Sequence, residues 1–158
     1  MSSAKSALIV LPSEQRALLV QAMVGVCETS FFAFTEPATP DVEAKIADED
    51  RWFQATVSFT GPLNGKVSLA LPEGLGQELF AAFLGFEDSA ASNSAELHDV
   101  MGEFANMVCG AWLTSLNGDQ TFSLGYPAVR LGGVPDYSCA LMVMSVNDRP
   151  AVLCAEIQ

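Results

Sequence analysis

Between Asn93 or Ser94 and about Leu116 the chain carries one long amphipathic repeat, and this segment restricts the fold most. Wound at about 100° per residue, it sets Val100, Met101, Phe104, Val108 and Ala111 on one side. Asp99, Glu103, Asn106 and Gly110 fall within about 60° of one another on the other side. An apolar stripe of that length has to be buried against a second layer of structure. Glu96 stands at the capping-box position for Asn93, and Asn117-Gly118-Asp119 ends the helix. A core helix ordinarily offers water Lys, Glu, Gln and Arg. This one offers two short acids, an amide that no pH can charge, and a bare glycine that costs a helix about 1 kcal/mol relative to alanine.

The second layer is legible in the remaining residues. Trp52 to Thr60 and Lys66 to Leu71 alternate as strands, joined through Gly61-Pro62-Leu63-Asn64-Gly65 as a hairpin. Residues 6 to 11 form a further short apolar run that suits a strand. Pro12-Ser13-Glu14 has the chemistry of a helix start, and Arg16 to about Phe34 carries apolar residues at 18, 19, 22, 23, 26 and 27. Thr35 to Asp50 reads as a loop with two prolines and then acids at 41, 43, 48, 49 and 50, either a solvated connection or an acidic docking patch. Pro72 and Glu73 begin a helix through Leu75, Leu79, Phe80 and Phe83 that Gly85 stops, and residues 86 to 92 connect it onward. Strands are expected in part of 121–131, in 138–146 and in 151–157, with Asn147-Asp148-Arg149-Pro150 as the last turn. The order predicts an α+β fold: a two-layer, mainly antiparallel sheet packed against helices, within a single domain over 1–158.

Charge and cysteine usage narrow the function classes. A net charge of −12 argues against nucleic acid and anionic membrane surfaces as partners. The cysteines at 27, 109, 139 and 154 form no CxxC pair, and one histidine completes no zinc cluster, so four buried thiols in a reducing compartment are expected. No apolar run reaches the roughly 18 residues of a membrane span, and Ala7 to Leu11 is too short for a secretory signal. The chain reads as cytoplasmic.

The polar stripe admits few chemistries. Asp99 and Glu103 share one helix face, so they do not flank a scissile bond as a general acid/base pair must. Two acids are too few for a metal site, and His98 lies about 100° around the helix from Asp99. What remains is a carboxylate and an amide, Glu103 and Asn106, presented together at i and i+3 to another molecule. The carboxylate suits a lysine or arginine; the amide suits a water or polar group.

Residues 97 to 110 resemble the signature helix of the CheC/CheX/FliY family of chemotaxis phosphatases, here Asp99, Glu103, Asn106, with Gly102, Met107 and Gly110 also fitting. Val26-Cys27-Glu28-Thr29, the Gly61 to Gly65 hairpin, Ala82-Phe83-Leu84-Gly85 and Gly125-Tyr126-Pro127-Ala128-Val129 resemble further family landmarks in the same order. CheC carries two such sites. Here Glu28 is followed three residues later by Phe31, which cannot orient water, so the chain is closer to CheX, with residues 1–12 a possible extension that has no counterpart.

The resemblance implies hydrolysis of the phosphoaspartate of a CheY-type receiver. Asn106 would position the attacking water and Glu103 would pair with the receiver's lysine. Asp99 would either help dock the partner or favour the helix N-terminus, and Gly110 would either admit the partner closely or merely pack. No cofactor is expected on this chain; Mg²⁺ is expected in the receiver. A homodimer paired through the sheet is implied as well, since Cys139 to Met144 would be hazardous as an open edge, although that strand could equally be central. Two other readings stay open: a non-catalytic docking or scaffold module, as in flagellar-switch relatives, and a sensor with a small-molecule pocket between sheet and helices.

Overall fold

The computed structural model describes residues 11–85, 94–116, 118–136 and 142–158. Its elements run α1 (Ser13–Ser30), β1 (Thr35–Pro37), α2 (Pro40–Ala44) with a 3₁₀ turn (Lys45–Asp48), β2 (Trp52–Thr60) and β3 (Gly65–Pro72). They continue with α3 (Glu73–Leu84), α4 (Ser94–Leu116), β4 (Ser123–Leu124), β5 (Ala128–Gly132), β6 (Met142–Val146) and β7 (Arg149–Ile157). One seven-stranded sheet is formed in the order β1-β6-β7-β3-β2-β4, with β5 also paired to β2, and all pairings are antiparallel. The α+β architecture is as the sequence predicts.

The period-2 alternation of β2 sorts its side chains between two faces. Phe53, Ala55, Val57 and Phe59 join the main core, whereas Trp52 is buried on the other face with Ala70, Val152 and Ile46 of the 3₁₀ turn. On the helix side, α4 buries Leu97, Val100, Met101, Phe104, Ala105, Val108, Cys109, Trp112 and Leu113. Trp112 meets Phe59 edge to face at 6.0 Å and donates its indole N–H to the Gln15 carbonyl at 3.0 Å, tying α4 to both the sheet and α1. Ala111, predicted on the apolar side, is exposed, because the buried stripe passes from Val108 and Cys109 to Trp112.

Several boundaries differ from expectation. Helix α1 ends at Ser30, not near Phe34. There Phe32 takes a left-handed φ of 54°, and the Ala33 N–H returns to the Cys27 carbonyl at 2.9 Å. The expected loop from Thr35 to Asp50 contains β1, α2 and the 3₁₀ turn; Thr39 caps α2 by accepting from the Val42 N–H, with Pro40 at the first helical position. Residues 121–131 supply two strands, broken at Gly125-Tyr126-Pro127.

The last turn is tighter than predicted. Asn147 and Asp148, at φ 50° and 64°, make a two-residue turn, and Arg149 already pairs with Val146. Strand β6 lies between β1 and β7, so it is no open edge. Gly85 stops α3 at a φ of 78°, as expected. The runs at 6–11, 86–92 and 138–141 lie wholly or almost wholly outside the described residues. Cys27 and Cys109 are free and buried, but Cys154 is disulfide-bonded, which corrects the expectation of four thiols. No helix is long and apolar enough to cross a membrane among the described residues.

Candidate functional site

Burial of one side of α4 dictates what the other side shows. Asp99 and Glu103 are exposed, Asn106 and Gly110 are partly exposed, and all four lie along one stripe. Neither Asp99 nor Glu103 forms an ion pair among the described residues, so both carboxylates are available to an outside cation. Gly110 has open space where a Cβ would stand. It leaves a notch that no neighbour among the described residues fills.

Asn106 differs from the acids. It lines a cavity of about 250 Å³ whose other residues are Leu124, Gly125, Tyr126 and Pro127 from the β4–β5 connection. Its Oδ1 is buried and accepts no hydrogen bond. An acceptor left that way costs about 1–3 kcal/mol, and half-turn exchange of a carboxamide's two ends requires no bond at Oδ1 to be broken. The side chain is therefore a hydrogen-bonding group at the edge of a mainly apolar recess, its Oδ1 without a partner.

The β4–β5 connection is fixed from two directions. The Gly125 N–H donates to the Ser58 carbonyl at 2.8 Å. Pro127 sits over Gly102, where an added Cβ would lie 3.0 Å from Pro127 Cγ. Gly102 thus lets the connection approach α4 one turn before Asn106. Sequence reasoning used Gly102 and Gly125-Tyr126-Pro127 only as landmarks and missed Leu124 and Tyr126 as members of the site. The available signal was an aromatic between Gly and Pro, which a turn presents to solvent.

His98 faces elsewhere. It is half-buried, with its ring against Phe53 edge to face at 5.7 Å, and so is neither solvated nor beside the acids. No group of three His, Cys, Asp or Glu side chains suited to a metal ion exists among the described residues. Phe31, three residues after Glu28 and just past the end of α1, is 1% exposed and packs on Phe83 at 5.0 Å and Phe104 at 4.6 Å. That position belongs to the core. Among the described residues, the one ExxN arrangement at the surface is on α4.

Comparisons with known proteins give the family and the fold. A family model described as "Chemotaxis phosphatase CheX" matches residues 53–144. The crystal structure of chemotaxis protein CheX from Vibrio vulnificus is similar at 22% identity with a TM-score of 0.71, covering 92% of this chain and 97% of that one. CheX from Desulfovibrio desulfuricans is similar at 20% identity with a TM-score of 0.70, covering 92% and 99%. A CheX–CheY–BeF₃–Mg²⁺ complex from Borrelia burgdorferi contains a chain similar at 10% identity with a TM-score of 0.62, covering 91% and 97%. No curated protein sequence matches this chain.

Proposed function

Because the chain belongs to the chemotaxis phosphatase CheX family, we propose that it hydrolyses the phosphoaspartate of a CheY-type receiver, with Asn106 and Glu103 as the working pair. Acyl phosphate hydrolysis requires a water in line with the leaving carboxylate and neutralisation of the charge on the transferring group. The receiver brings its own Mg²⁺ and lysine, so this chain binds no cofactor and contributes position. Asn106 enters the receiver's site and holds the attacking water through its carboxamide oxygen. An amide orients that water without trapping a proton or repelling the phosphoryl group, which a carboxylate would do. Glu103, one turn earlier, pairs with the receiver's lysine and fixes the register of the two proteins.

Asp99 lies a further turn toward the helix start and extends the same acidic edge. The observation that carries the reading is that Asn106, whose Oδ1 has no hydrogen-bond partner, lines the cavity walled by the β4–β5 connection. Within a purely structural helix, that atom would be a cost with no return.

On this reading the chain acts in the cytoplasm, and a homodimer is expected. Light scattering at micromolar concentration gives a dimer mass if that holds, and a monomer mass counts against it. The activity is tested by following the decay of a phosphorylated CheY-type receiver with and without this protein. Faster decay supports the phosphatase. Binding with an unchanged lifetime would replace it with the docking-module reading.

A further inference from the structure

Tyr126, in the β4–β5 connection, is 99% exposed, and Leu124, the last residue of β4, is 39% exposed. An aromatic ring of this size can bury 150 Å² or more, about the largest apolar contribution one side chain can make. On this molecule Tyr126 contributes none of it. Nor is its backbone free: Gly125 on one side is bonded to Ser58, and Pro127 on the other rests on Gly102. The ring therefore projects from a fixed base. The connection that carries it also walls the cavity containing Asn106.

We propose that Tyr126, with Leu124 beside it, is the docking residue through which this chain grips the phosphorylated receiver. The inference rests on the phosphatase reading above and deepens it. Interfaces draw most of their affinity from a few aromatic anchors, and a ring on a fixed backbone has only its own two side-chain torsions to lose on binding. Tyr126 supplies that anchor on one flank of Asn106. Asp99 and Glu103 supply the polar, cation-seeking edge along α4. The two surfaces grip a partner from both sides of the amide, so apolar contact sets affinity while Asn106 acts on water.

The occupant is the receiver and not a second copy of this chain. Symmetric pairing on this face would bring Asp99 and Glu103 against the same acids of the other copy, on chains that each carry −12. A receiver's phosphorylation site instead offers these acids a lysine to pair with.

The test uses a beryllofluoride-activated, Mg²⁺-loaded CheY-type receiver for binding, and the same receiver phosphorylated with acetyl phosphate for turnover. Tyr126→Ala is expected to raise Kd and KM about tenfold with kcat within about twofold of the parent. Tyr126→Phe keeps parental values, because the ring and not the hydroxyl makes the contact. Asn106→Ala shows the converse, a lower kcat at parental Kd. The melting temperature of Tyr126→Ala stays parental, since an exposed ring supports nothing in the fold.

Parental Kd and KM in Tyr126→Ala would overturn the docking role. Should Asn106→Ala still be slow in that case, the phosphatase reading survives alone. A parent protein that neither binds the receiver nor shortens its phosphorylated lifetime overturns both.

Discussion

Gly102 lies directly beneath Pro127: a Cβ added to Gly102 would stand 3.0 Å from Pro127 Cγ and 3.4 Å from Val129 Cγ2. The first distance is tighter than ordinary packing, so Pro127 would have to give way by a few tenths of an ångström. Pro127 belongs to the connection that carries Tyr126 and walls the Asn106 cavity. Gly102→Ala therefore displaces the site's rim while gaining up to about 1 kcal/mol of helix propensity. Clash and gain offset one another, and the melting temperature should move by no more than a few degrees. Turnover of phosphorylated receiver should fall by up to about tenfold, because small misplacements of positioning groups are costly. Steady-state kinetics beside a thermal melt checks the prediction; parental turnover would show that the rim does not depend on this contact.

Gly110 offers the opposite case two turns along the same helix. Among the described residues, nothing beyond its own helix backbone lies within 4 Å of a Cβ built there. Gly110→Ala should therefore stabilise the protein by about 0.5–1 kcal/mol, through helix propensity and a less free unfolded chain. If the notch admits the receiver closely, the methyl group will weaken docking while stability rises. A higher melting temperature together with a higher Kd for activated receiver is the expected pair. A higher melting temperature with unchanged Kd would leave Gly110 outside the contact.

Asn106 sets function against stability in a measurable way. Its Oδ1 is buried without a partner, and asparagine is a poorer helix former than alanine. Asn106→Ala should leave the fold intact and at least as stable, with a gain of about 0.5–1 kcal/mol. For a domain of this size that is about 1–4 °C in melting temperature. Receiver dephosphorylation should meanwhile slow by about 10²-fold, the scale seen when one preorganised polar group is removed from an active site. A stable variant with parental turnover would remove Asn106 from the chemistry.

The parts of this fold that repeat with a regular period were legible from residues alone. The β2–β3 hairpin and helix α4 declare themselves through runs of alternating or 3.6-spaced side chains whose burial the fold then repeats. Short elements were not legible. β1, α2 and the turn after it span too few residues for a period to accumulate, and they are held by pairing to β6 and by the Thr39 cap. The early end of α1 depends on Phe32 taking a left-handed φ that a bulky residue rarely adopts, so no residue type announced it. At the site, the α4 stripe needed only helix geometry. Tyr126 comes from a segment twenty residues later, and only the pairing of β4 and β5 with β2 brings that segment to Asn106. The disulfide at Cys154 was equally invisible, since spacing gave no pairing.

Two buried thiols give the fold an alkaline limit. Burial pushes the Cys27 and Cys109 thiols up to about 12 from an ordinary 9.0, with Glu28 adding to the effect at Cys27. Both sit in the core between α1, α4 and the sheet, where a thiolate would lack hydration. In the unfolded chain they ionise near the ordinary value. Their neutral forms therefore contribute stability that is fully present below about pH 9 and is lost as pH rises toward about 12. Ellman's reagent at pH 8 should leave both thiols nearly untouched in native protein and titrate them at once in denaturant. Across pH 8 to 11 the melting temperature of the parent should fall more steeply than that of Cys27→Ala/Cys109→Ala. The double variant begins less stable because it leaves small cavities, so the slopes and not the starting values decide. Parallel slopes would mean that other groups govern the alkaline loss of stability.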